Sequence, residues 1–109
     1  MTEKSLPVAV DAMGGDHAPD QIVEGARLAK ESGIPIVLFG TEQALDGIRD
    51  IETIYVSEVV EMDEDPGRAV RRKKDSSLIR AAEYVRDGHS AAMVSAGNTG
   101  ATMASALLR

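Results

Sequence analysis

The chain has 109 residues, of which 12 are Lys or Arg and 18 are Asp or Glu, for a net charge of −6. This length admits one compact domain, and 43% hydrophobic with 28% charged residues is the balance of a globular protein, not a disordered one. The acidic balance argues against broad nucleic-acid binding, and the lack of Cys removes disulfides, thiolate metal sites and a cysteine nucleophile.

With one Phe, two Tyr and no Trp, the core must be aliphatic, which suits layered α/β packing. No apolar run approaches the ~20 residues that span a bilayer. The run Leu6–Val10 is too short for a signal-peptide core, so the sequence reads as cytoplasmic. That run reads instead as a strand buried on both faces. After a glycine turn, Pro19 opens a helix whose Ile22, Val23, Ala26 and Ala29 share one face, with Gly33 as its stop. Ile34–Phe39 reads as a second strand, and Gly40-Thr41 begins a short helix carrying Ala44, Leu45 and Ile48.

Glu52–Val56 alternates as a third strand, and the acidic stretch from Glu58 to Asp65, with Pro66, reads as loop. Asp75 or Ser76 caps a helix bearing Leu78, Ala82 and Val85, which stops at Gly88. Ala91–Ser95 is a fourth strand and Thr99–Leu108 a fourth helix. Four strand–helix units in succession predict a doubly wound parallel sheet. The last helix is still in its apolar phase at Met103, Leu107 and Leu108 when Arg109 is reached, and no cap closes it. The expectation is a piece of a larger protein.

Ligands of open parallel sheets bind beyond the carboxyl ends of the strands. Two glycine turns fall there: residues 11–19 after the first strand and Ser95-Ala96-Gly97-Asn98-Thr99-Gly100 after the fourth. In the second turn, Gly97 and Gly100 allow close backbone approach, Asn98 and Thr99 add side-chain donors, and a helix N-terminus follows. Phosphate suits such a turn, and the plain alternative is a tight connection capped by Asn or Thr. Neither a Walker A ending nor a dinucleotide fingerprint is present, since Gly14-Gly15 lacks the third glycine. No cofactor is called for.

Asp11, Asp16 and His17 form a weak metal-ligand pattern, but two carboxylates on one turn often cap neighbouring backbone, so no metal is expected. Asp16 either orients a group at the site or caps the helix that begins at Pro19. His17 reads as a loop hydrogen-bonder and His89 as a solvated turn residue. The run Arg71-Arg72-Lys73-Lys74 is either a solvated face paired to carboxylates or a clamp for an anion or acidic partner.

Three stretches together resemble one family. Val10-Asp11-Ala12-Met13-Gly14-Gly15-Asp16 with Ala18-Pro19 is similar to the N-terminal signature of the bacterial phosphate acyltransferases of phospholipid synthesis. Val94-Ser95-Ala96-Gly97-Asn98-Thr99-Gly100-Ala101 resembles that family's second glycine loop. Pro66, Ala69, Arg71, Lys73, Lys74, Ser76 and Ser77 resemble its basic Ser-Ser segment.

The resemblance implies a three-layer α/β/α fold, isocitrate dehydrogenase-like and phosphate acetyltransferase-like, of which this chain is the N-terminal part. It implies an enzyme forming acyl phosphate from inorganic phosphate and a fatty acyl group on acyl carrier protein. A homodimer and peripheral association with a membrane acyltransferase belong to the same implication. Asp16 and Asn98 are the candidate catalytic residues. Gly14, Gly15, Arg71, Lys74, Ser76, Ser77, Ser95, Gly97, Asn98, Thr99 and Gly100 are the candidate phosphate- or substrate-binding residues. The rivals are a phosphate-substrate dehydrogenase on the related fold and a non-catalytic phosphate-binding domain.

Overall fold

The computed structural model describes residues 6–108, with side chains to residue 106, so the apolar positions at Leu107 and Leu108 and the terminal Arg109 lie outside the described side chains. Four strands, β1 (Val8–Asp11), β2 (Ile36–Thr41), β3 (Glu52–Val56) and β4 (Ala92–Val94), form one sheet. Their order is β3-β2-β1-β4, and every pairing is parallel. The helices are α1 (Asp20–Glu31), α2 (Glu42–Leu45), α3 (Pro66–Arg72), α4 (Ser77–Arg86) and α5 (Thr99–Leu108).

The strand alternation divides the core between two faces. Val10, Ile36 and Leu38 pack with Val23 and Ala26 of α1 and Leu45 of α2. From the opposite face, Ala9, Val37 and Phe39 meet Ala81 of α4. Tyr84 of α4 stands edge-on to Phe39 with ring centroids 5.3 Å apart. The helices α3, α4 and α5 share a further cluster of Ala69, Val70, Leu78, Ile79 and Ala101. Helices therefore cover both faces, giving the three-layer α/β/α arrangement.

The caps explain most boundaries. Thr41 Oγ1 accepts from Ala44 N at 3.2 Å to start α2, and Ser76 Oγ accepts from Ile79 N at 3.3 Å to start α4. At the end of α1, Gly33 takes φ +95°, and Ile34 N closes back on Ala29 O at 3.1 Å. β2 spans Ile36–Thr41 and not Ile34–Phe39, so Gly40 and Thr41 belong to the strand, and α2 ends at Leu45, short of Ile48; β4 is trimmed to Ala92–Val94. Two further expectations need correction. β1 is shifted from Leu6–Val10 to Val8–Asp11, because its pairing begins where Ile36 and Ala92 lie opposite Val8.

The second correction concerns Pro66, expected in a loop, which instead opens α3. Asp65 Oδ2 accepts from Arg68 N at 3.0 Å, and Pro at the first helical position loses no bond. The basic run is thereby split. Arg71 and Arg72 fall in the last turn of α3, while Lys73 and Lys74 follow it.

Candidate anion site at the switch point

The chain winds from β1 to β2 to β3 in one direction, then returns through α4 to place β4 on the other side of β1. The winding reverses at β1, so the turns after β1 and β4 flank the crevice where such sheets take ligands. Both glycine turns lie there.

Asp11, the last residue of β1, sits at the centre of this crevice and is only 4% exposed. Its Oδ1 accepts from the Ser77 hydroxyl at 2.6 Å and from Met13 N at 3.0 Å. Its Oδ2 accepts from the Ser95 hydroxyl at 2.9 Å, and Ser95 Oγ in turn accepts from Gly97 N at 3.1 Å. One carboxylate thus joins the first turn, the start of α4 and the second turn. In the sequence Asp11 stands out only as part of a weak metal-ligand pattern and of the first signature, because its structural partners lie 66 and 84 residues away. The available signal was an ionisable residue closing a buried apolar strand, a position that requires hydrogen-bond partners.

The glycines make the approach possible. A Cβ on Gly14 would stand 2.8 Å from both Asp11 Oδ2 and Gly97 N. Gly15 has φ +97°, a conformation that favours glycine, and its Cβ position is 3.0 Å from Ala96 O. Gly97 is confined less tightly, with Gly14 Cα 3.1 Å from where its own Cβ would be. Gly100 is different: its Cβ would strike Pro66 Cγ at 2.5 Å, so its smallness serves the contact between α3 and α5.

Asn98 is buried and its side chain is fully engaged. Its Oδ1 accepts from Ala101 N at 3.0 Å, capping α5. Its Nδ2 donates toward the carbonyls of Glu61, Met62 and Glu64, the last at 2.9 Å. Thr99 and Asp16 are exposed, and among the described residues no side chain caps α1, so Asp16 is not the cap of that helix. Asp16 and His17 are exposed while Asp11 turns inward, so these three do not converge on a point. Among the described residues, no group of three His, Cys, Asp or Glu side chains is placed to hold a metal ion.

The cations around the site have separate fates. Lys73 Nζ donates to Val59 O at 2.7 Å and to the Glu64 carboxylate. Arg80 pairs with Asp75 at 2.7 Å. The Glu61 N–H, then Lys73, hold the Glu64 carboxyl below its usual range. The Ser57 hydroxyl, then Arg80, do the same for Asp75. Arg71 and Lys74 are exposed and make no ion pair among the described residues. The Arg71 guanidinium folds back along α3, with Nη1 3.8 Å from where a Gly67 Cβ would be, toward the end of α3 that packs on Gly100.

Sheet order and crevice define an open, doubly wound α/β protein with its candidate site at the switch point. The chain belongs to the fatty acid synthesis protein family, which it matches over residues 6–109. A phosphate acyltransferase of Anaeromyxobacter sp. is 50% identical to it, over 98% of this chain and 32% of that protein. One from Geobacillus thermodenitrificans is 51% identical, over 94% of this chain and 33% of its own length. A third, from Ligilactobacillus salivarius, is 48% identical over 93% of the chain. The chain therefore spans about a third of the length of the curated relatives it matches.

Proposed function

We propose that this chain forms the phosphate-holding part of a larger acyltransferase domain that joins a fatty acyl group to inorganic phosphate. The acyl group arrives as a thioester on acyl carrier protein, and the product feeds glycerophospholipid synthesis. Family membership and the names of the relatives support the reaction class. The observation that carries the site is the meeting of two glycine turns at the switch point, with the α5 N-terminus beside them.

A phosphate oxygen attacks the thioester carbonyl, the C–S bond breaks, and the proton of hydrogen phosphate ends on the released thiol sulfur. Phosphate is already anionic and a thiolate is a fair leaving group, with an intrinsic pKa near ~8.5. The demand falls on positioning two anions and stabilising the tetrahedral oxyanion. Backbone N–H groups of residues 14–15 and 98–99, with the Thr99 hydroxyl, hold phosphate, whereas the Gly97 N–H is spent on Ser95 Oγ and Gly100 serves the contact with Pro66. Arg71 and Lys74 supply cations, and Asp16, exposed on the first turn, is available for proton transfer. Asn98 acts by holding the 61–64 segment against α5, and Ser76 by capping α4. The protein works in the cytoplasm as a homodimer, peripheral to the membrane acyltransferase that takes its product.

The test is phosphate-dependent release of free carrier thiol from acyl-loaded carrier protein by the complete gene product that contains these residues. Turnover that saturates in phosphate and needs no nicotinamide is expected. Turnover without phosphate would overturn this reading, and phosphate binding without consumption of the thioester would replace it with the non-catalytic rival.

A further inference from the structure

The hydrogen-bond polarity around Asp11 determines what its serines can offer a ligand. Gly97 N–H can only donate, so Ser95 Oγ accepts there, and its single proton goes to Asp11 Oδ2. Ser77 likewise spends its proton on Asp11 Oδ1 at 2.6 Å. Both hydroxyls are then acceptors toward anything else, which disfavours direct contact with an anion. Yet the same bonds fix the distance between the two turns, because Asp11 also holds Met13 N on its own turn.

Resting on the phosphate reading above, we infer that Asp11 is the positioning residue of the anion site. Ser77 and Ser95 act through it and not as phosphate donors. Asp11 draws the β1 turn and the β4 turn together, and the relay from Gly97 N–H through Ser95 to Asp11 orients the backbone of the second turn. The cradle is a property of this one buried carboxylate acting on two otherwise flexible glycine turns.

The experiment measures KM for phosphate and for acyl-loaded carrier protein in the complete gene product, with folding checked by circular dichroism. Asp11→Ala is expected to raise the KM for phosphate by about ten- to a hundredfold, the cost of misplaced donors, with little change in the KM for the carrier. Asp11→Asn keeps an acceptor oxygen for Ser77 and Met13 and recovers part of the loss. Ser95→Ala added to Asp11→Ala costs little more, because both changes break one relay. Additive losses for that pair would show that Ser95 contacts phosphate independently and would overturn the inference. So would a folded Asp11→Ala with an unchanged KM for phosphate. If Asp11→Ala does not fold, Ser77→Ala and Ser95→Ala each test one arm, with a selective rise in the phosphate KM expected and no rise overturning it. Wild-type turnover is read first: no saturation by phosphate overturns both readings, whereas saturation with an unmoved Asp11 variant overturns this one alone.

Discussion

Gly14 and Gly97 approach so closely that a Cβ on Gly14 would stand 2.8 Å from the Gly97 nitrogen. That contact is with backbone, and the other atoms a Cβ would meet, Asp11 Oδ2 and Ser95 Oγ, are held by their own hydrogen bonds. Gly14→Ala is therefore expected to force the turns apart, lowering stability by about 1–3 kcal/mol as overpacking does, and to weaken phosphate binding. Gly25 is the control: it lies within α1 with nothing within 4 Å of its Cβ position. Gly25→Ala should stabilise by about 0.5–1 kcal/mol through helix propensity. Urea unfolding of the two variants checks both signs.

Gly100 invites a different experiment. Its neighbour is Pro66 of α3 and not a ligand cradle, so Gly100→Ala should cost stability by about 1–3 kcal/mol through the α3–α5 contact. Pro66→Ala, which removes the Cγ that a new Cβ would strike, should restore part of that loss. Additive destabilisation in the double variant would show that the two residues do not press on each other.

Asn98 links the second turn to the acidic segment. Asn98→Ala should lose the α5 cap, worth about 0.5–2 kcal/mol, and expose residues 61–64 to limited proteolysis. Asn98→Asp keeps the cap acceptor but turns a carboxylate oxygen toward the carbonyls of Glu61, Met62 and Glu64. It should be at least as destabilising as Asn98→Ala at pH 7, since three acceptors then face a fourth. Thermal melts of the pair decide this.

The strands and most helices were legible because apolar runs and helical spacing are local signals. β3 and α4 appear where alternation and a Ser cap place them. Helix α3 was not legible, because only Ala69 and Val70 among its seven residues are buried. An acidic stretch ending in Pro resembles a turn more than a capped start. The glycine turns were visible, but the Asp11 relay depends on strand order. Only folding brings Ser77 and Ser95 to the same carboxylate, and only folding separates Gly97, at the crevice, from Gly100, at a helix contact.

Acid should loosen the margin of the site. Glu64 is held below its ordinary 4.5 by the Glu61 N–H and Lys73, and Asp75 below its ordinary 3.8 by Ser57 and Arg80. A depressed carboxylate binds its proton more weakly when folded, so the unfolded chain takes up more protons in that range. The stabilisation is complete above the ordinary values and is lost as pH falls through the lower, folded ones. The urea midpoint should therefore drop progressively below about pH 4.5. Glu64→Gln should shrink that drop, and an identical pH profile for Glu64→Gln and wild type would remove Glu64 as a cause.

The last expectation concerns how charge is divided along the basic run. Lys73 is committed to Val59 O and Glu64, so Lys73→Ala should destabilise the 59–64 segment and reveal itself in melting temperature. Arg71 and Lys74 have no ion partner among the described residues, and Arg71 lies back along α3 toward the contact with Gly100. Arg71→Ala and Lys74→Ala should leave stability nearly unchanged but raise the KM for an anionic substrate by about tenfold, the scale of one charge-assisted contact. Because both side chains are exposed, added salt should narrow the gap to wild type as screening shortens below about 10 Å. Kinetics across phosphate and carrier concentrations then assign the role. A selective rise in the phosphate KM places the cation at the anion cradle, whereas a selective rise in the carrier KM makes α3 the surface that receives the acidic protein. Equal kinetics for both variants and wild type at every salt concentration would reduce the run to a solvated face, leaving the backbone turns as the only holders of phosphate.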